Sequence, residues 1–155
     1  MDRKIEGVKT KTEGVKTKMS GETKLRVRYA ETDKMGVVYH SNFLIWFEVG
    51  RVELLRQLGF QYNEMEKQDN CHLPVVDLRI RYKAPAQYDD EIVVRTGLKR
   101  MSASLLHFSY EVLREGDGAL LATGESMHIV VDNKLVRTSL PEKYIKAFKE
   151  RKQNQ

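Results

Sequence analysis

Apolar residues along this chain follow two different periods, and the switches between them mark the elements. Residues 24–29, "KLRVRY", alternate apolar and polar and predict a short strand. Residues 42–58, "NFLIWFEVGRVELLRQL", read as a helix, with Ser41 or Asn42 available as a cap and Gly59 as a stop. Its start, "FLIWF", is apolar on nearly every side, so this end is expected to be buried all round. Gly50 costs about 1 kcal/mol in a helix interior. The expected compensation is close approach of another backbone, such as a sheet wrapped over the helix.

A polar linker is expected at 61–72, after which the period becomes two. In "PVVDLRIRYKA" (74–84), Val76, Leu78, Ile80 and Tyr82 face one way and Asp77, Arg79, Arg81 and Lys83 the other. Further strands are predicted at 91–100, 104–115 and 119–132, with "GDG" at 116–118 as a hairpin turn and a short strand at 135–138. "SLPE" at 139–142 reads as a capping box that opens a lysine-rich C-terminal helix. One strand, one long apolar helix, then four or five antiparallel strands define an α+β fold, with the helix on one face of an antiparallel sheet. Such a sheet has edges to cover or pair, and an edge-to-edge homo-oligomer would do so.

Composition narrows the class. At 155 residues, 41% hydrophobic and 32% charged, the chain reads as one soluble globular domain. Its longest apolar run has five residues, far short of the ~18 expected of a membrane span. No apolar h-region opens the chain, so a secretory signal is not expected, and a lone cysteine, Cys71, suits a cytoplasmic protein. The net charge of +5 lies in the ends: residues 1–23 carry +2, residues 142–155 carry +3, and the body between is neutral. The body is therefore not a nucleic-acid binder by charge. Residues 1–23, with the echo "EGVKTKT" then "EGVKTKM", are expected to be a disordered basic extension; residues 24–140 form the domain and 141–155 a helix and tail.

Phosphate-loop, Cys-x-x-Cys and His-Glu-x-x-His patterns are missing, and the four histidines are scattered, so neither a metal nor a cofactor is implied. What remains is "YAETDKMGVVYHSNF" (29–43), a polar loop running into the apolar helix. A helix N-terminus offers free backbone N–H groups at the positive end of its dipole, suited to a developing oxyanion. Asp33, four residues before Val37, could curl back toward the carbon whose oxygen those amides hold, and attack it or activate water. Equally, Asp33 could cap a turn while His40 fills a gap beside the helix.

The stretch "VRYAETDKMGVVYHSNFLIWFEVGRVELLRQLGF" resembles the signature of hotdog-fold acyl-CoA thioesterases of the 4-hydroxybenzoyl-CoA thioesterase family, particularly its YbgC-like branch. The matching elements are Tyr29, Asp33 four residues on, "MGVVYH" ending in His40, and the aromatic helix start; "RIRYKAPAQYDDEIVVRT" also matches. The resemblance spans roughly residues 24–138. It implies a curved antiparallel sheet around one long helix, edge-paired into homodimers or homotetramers with sites at the dimer interface. It also implies hydrolysis of acyl-CoA to a carboxylic acid and CoA. By that carry-over Asp33 is the catalytic carboxylate, Tyr29 and His40 assist, and the backbone amides of Tyr39 and His40 polarise the carbonyl. Candidates for CoA phosphates are Lys83 and Arg100, which a solvated face explains as well. Phe43, Trp46 and Phe47 are acyl-pocket candidates whose default role is core packing. Glu48 is a competing catalytic carboxylate, with pairing to Arg51 as its plainer role. Acyl carrier protein is an alternative carrier, its acidity matching the basic C-terminus, and a non-catalytic acyl-CoA binder is the alternative from another class.

Overall fold

The computed structural model describes residues 19–153. Strand β1 (Ser20–Arg26) is followed by a 3-10 turn at Tyr29–Glu31 and helix α1 (Asn42–Gln57). Helix α2 (Tyr62–Lys67), strands β2 (Val75–Tyr82), β3 (Glu91–Met101), β4 (Leu105–Arg114) and β5 (Leu120–Ile129), and helix α3 (Glu142–Gln153) complete the chain. The strands form one antiparallel sheet in the order β1-β3-β4-β5-β2. Register shifts in β2–β5, β3–β4 and β4–β5 are of the kind that bends a sheet and tightens its twist.

Most elements follow the hydrophobic periods. Gly59 stops α1 as expected: its φ is +86°, its N–H donates to the Arg56 carbonyl, and the Phe60 N–H donates to that of Leu55. That pair of bonds is the Schellman arrangement. The β4–β5 turn closes through Gly118 at φ +70°. Three expectations change. Strand β1 begins at Ser20, not residue 24, and pairs with β3 from its first residue, so residues 20–23 belong to the domain. The rest of the expected disordered extension, residues 1–18, lies outside the described residues. The linker at 61–72 contains α2, which buries Met65; one apolar side chain in a six-residue helix leaves no period to read. Residues 135–138 form no strand, only an isolated bridge from Val131 to Arg137, because Asp132 Oδ1 draws the Lys134 and Val136 N–H groups into a turn.

Helix α1 lies on one face of the sheet. Phe43, Trp46, Phe47, Leu54 and Leu55 are buried there against Ile92, Val94, Phe108, Val112 and Leu121. Phe47 stacks on Tyr110 with ring centroids 4.2 Å apart, and Gly124 makes room for it: a Cβ there would sit 2.5 Å from Phe47 Cε2. Gly50 is explained in the same way. A Cβ would meet Thr96 Oγ1 at 2.4 Å and Val94 Cγ1 at 2.8 Å, so the close partner is the side-chain surface of β3 rather than its backbone. A polar chain also crosses this interface. Arg51 donates to the Tyr110 hydroxyl (3.1 Å), which lies 2.6 Å from Ser126 Oγ, and Ser126 Oγ lies 2.8 Å from His128 Nε2. His128 Nδ1 faces the Leu73 carbonyl at 2.9 Å. Burial lowers the His128 pKa to about 4; the Leu73 carbonyl opposes this and Arg51 adds to it.

Helix α3 packs onto the domain through Tyr144 and Phe148. The Tyr144 hydroxyl and Lys143 both bond Asp69, and Arg151 donates to the Leu58 carbonyl at the end of α1 (2.7 Å). At the opposite side, β2 is an edge strand. Its register shift places Val75, rather than the expected Val76, opposite His128 on the helix side. Val75, Leu78 and Tyr82 remain 47%, 39% and 46% exposed, so the apolar face read from the sequence is present but left partly open by the described residues.

Candidate active site

Residues 29–41 fold as a small hairpin pressed against the start of α1. Thr32 closes the 3-10 turn through its N–H and its hydroxyl, both donated to the Tyr29 carbonyl. Thr32 bridges Val38, the Asp33 N–H donates to the Val37 carbonyl (2.8 Å), and the Gly36 N–H donates to the Asp33 carbonyl (3.0 Å). Gly36 has φ +80°, while a Cβ there would meet nothing within 4 Å. The glycine therefore serves the turn and not a crowded approach. On the outer side, the Val38 N–H donates to the Ala86 carbonyl and Val37 bridges Gln87, so the loop forms a wall with the segment that follows β2.

Asp33 sits half-buried at the bend. Its Oδ1 accepts the Met35 N–H at 2.8 Å, the turn-capping bond that local chemistry allowed. Its Oδ2 has no hydrogen-bond partner among the described residues. The two roles are compatible, because a cap on one oxygen restrains the carboxylate and leaves the other available.

Helix α1 starts at Asn42 with Ser41 as cap residue, and no side chain caps it. Instead Asn42 Nδ2 donates to the Glu31 carbonyl (2.8 Å). The Tyr39 N–H donates to the same carbonyl (2.9 Å), which corrects the expectation for Tyr39: its amide is occupied and cannot serve an oxyanion. The N–H groups of His40 and Ser41 donate to no backbone acceptor among the described residues. Sequence reasoning named the first and missed the second, since the bond to Glu31 that shifts the free pair by one residue has no local signal.

A cavity of about 300 Å³ opens beside this helix end, lined by Val38, His40, Phe43, Tyr82, Lys83, Ala84 and Pro85. Phe43 and Lys83 line it, whereas Trp46 and Phe47 do not; all three aromatics are in the core at 1–2% exposure, and Phe43 alone of them also borders the cavity. Arg100 lies nine residues along β3 from Glu91, whose end adjoins the loop, so roughly 30 Å of strand separates it from the site within one chain. Tyr82, expected on the apolar face of its strand and not as a site residue, also lines the cavity. Its hydroxyl donates to the His40 carbonyl (2.8 Å), and its ring stands edge-on to Phe43 at 5.3 Å. Partial burial raises its pKa, so it remains a donor at neutral pH. Tyr29 is 77% exposed with its ring edge-on to Tyr88, and His40 is exposed with its ring against Tyr39; neither side chain hydrogen-bonds Asp33 among the described residues. Glu48 is exposed on α1, and its expected partner Arg51 turns inward to Tyr110 instead. Among the described residues no cluster of His, Cys, Asp and Glu could hold a metal ion, and no helix is long and apolar enough to cross a membrane.

An antiparallel sheet laid over one long helix, with a carboxylate-bearing loop at the helix start, is the architecture of the hotdog thioesterases. The model of the thioesterase-like superfamily matches residues 27–148, and the chain belongs to that family. A Bacillus subtilis protein provisionally named acyl-CoA thioesterase YneP is 41% identical over 125 residues, covering 81% of this chain and 87% of that protein. The acyl-CoA thioester hydrolase YbgC of Escherichia coli is 29% identical over 127 residues, covering 81% and 93%. Among solved structures, a DHNA-CoA thioesterase from Staphylococcus aureus superposes with a TM-score of 0.80 at 35% identity, covering 84% of this chain and 89% of that one.

Proposed function

We propose that this chain hydrolyses the thioester of acyl-CoA, with Asp33 as the catalytic carboxylate. The observation that carries the reading is that one pinned loop bears both Asp33, whose Oδ2 has no hydrogen-bond partner among the described residues, and the His40 and Ser41 amides, which donate to no backbone acceptor there, with His40 lining the cavity. The amides draw charge onto the thioester oxygen. Asp33 then either adds to the carbonyl carbon, expelling CoA thiolate and leaving an anhydride that water opens, or takes a proton from the water that attacks. Either route consumes one water and yields one carboxylic acid and one CoA. A thiol with pKa near 8.5 leaves without strong acid assistance, so the chemistry asks for no metal. Lys83, at the cavity rim, is suited to a CoA phosphate, and Phe43 and Tyr82 to the acyl chain.

The working unit in this reading is a homodimer or homotetramer in the cytoplasm. Support comes from the uncovered helix-side residues of edge strand β2, and from Ile45 and Val49, which α1 leaves exposed. A second copy seated there would enclose the open loop and bring further groups to Tyr29 and His40. The test is Asp33→Asn, assayed for thiol release on acyl-CoAs of graded chain length and on aromatic acyl-CoAs. The expected loss in kcat is about 10²–10⁴-fold in a protein with unchanged circular dichroism. Full turnover by the folded variant would refute the assignment.

A further inference from the structure

Among the described residues Glu31 is the one buried acidic side chain, at 4% exposure, and it sits two residues before Asp33. A carboxylate out of water is costly unless its oxygens are well supplied with donors. Here they are. Oε1 accepts the Arg28 backbone N–H at 2.8 Å and faces Arg28 Nε at 3.4 Å, and Oε2 accepts the Trp46 indole N–H at 2.8 Å. The Glu31 carbonyl takes the Tyr39 N–H and Asn42 Nδ2. The Arg28 guanidinium is itself exposed, so the buried charge is answered mainly by N–H groups.

These bonds run in three directions. They reach the chain entering the loop, the strand leaving it, and the first turns of α1. A well-packed apolar group would serve stability at such a position as well as a charge does. What an acceptor-only carboxylate adds is geometry. It fastens the turn that precedes Asp33 to the helix whose end carries the free amides, and its carbonyl decides which amides stay free.

We infer that Glu31 is a positioning residue that holds Asp33 in register with the His40 and Ser41 amides through its bond to Trp46. The inference rests on the reading of Asp33 as the catalytic carboxylate. Glu31→Gln is the sharp variant, because it replaces one of the two acceptor oxygens by an NH2 donor, so either the Arg28 N–H at Oε1 or the Trp46 N–H at Oε2 faces another donor. In the full chain, well below its melting temperature, kcat should fall about 10–100-fold with KM within about threefold, as for a small misplacement of a reacting group. Trp46 is the sole tryptophan, so its emission reports the broken bond without reference to turnover. Trp46→Phe should cost a similar factor in kcat, and the double variant should cost no more than the larger single one.

Wild-type kcat in folded Glu31→Gln, with only the melting temperature or the emission altered, would overturn the inference. If Glu31→Gln does not fold, Trp46→Phe decides alone, and wild-type kcat there overturns it. A native chain that releases no thiol from any acyl-CoA would instead sink the functional reading, a result separable from these because it appears before any substitution.

Discussion

Replacing Gly50 by alanine tests the packing of α1 on the sheet with an opposing baseline. In an open helix the change would stabilise the protein by about 1 kcal/mol, through helix propensity and a less flexible unfolded chain. Here the new Cβ would stand 2.4 Å from Thr96 Oγ1 and 2.8 Å from Val94 Cγ1. Both neighbours are β-branched and buried, with few rotamers to escape into. The helix must lift or β3 must give, an overpacking cost of typically about 1–3 kcal/mol. The two effects together leave Gly50→Ala about 0–2 kcal/mol less stable than wild type, where an open helix would gain about 1. Thr96 Oγ1 also has no hydrogen-bond partner among the described residues, so no bond seen there opposes its removal. Thr96→Ala should therefore reduce the cost of Gly50→Ala, and urea unfolding of the four-member cycle would measure that coupling. A Gly50→Ala protein about 1 kcal/mol more stable than wild type, with unchanged m, would refute the close approach.

Acid should act through His128. Its folded pKa near 4 lies below the ordinary value of 6.5, so the unfolded chain binds the proton more readily. Stability from this residue is complete above pH 6.5 and declines as pH falls through the window down to about 4, by up to about 3 kcal/mol. His128→Gln should flatten that part of the stability–pH curve; an identical slope in both proteins would count against the buried neutral imidazole. Leu78→Lys places a charge on the uncovered helix-side face of β2, and is expected to shift the protein to monomer in sedimentation and to lower kcat. An oligomer unaffected by that charge would exclude this edge as the subunit contact.

Much of the fold was legible because strands and helices that bury one face record it at short range. The alternation of β4 and the apolar start of α1 are statements about neighbours two or four residues away, and Gly59 ends the helix through its own backbone freedom. The position of Asp33 on a loop before the helix was equally local. Identity at this level needs no knowledge of what lies across the sheet.

Other assignments depended on partners far along the chain. Trp46 and Phe47 were as suited to an acyl pocket as Phe43 until Gly124 and Tyr110 showed which way α1 faces. Nothing local sets Glu31 apart from a solvated carboxylate; its bond to Trp46, fifteen residues on, does. That same loop closure occupied the Tyr39 amide and passed the free pair to His40 and Ser41. Arg100 was separated from the site by the length of β3, and Tyr82 was brought into it by the edge position of β2. The sequence by itself determined most of the elements and the family pattern, and singled out Asp33 as the candidate carboxylate, since each is written in residue type and spacing. Only the tertiary structure decided which donors remain unspent and which aromatics meet the cavity, because hydrogen bonds and burial are settled between residues that are neighbours in space and strangers in sequence.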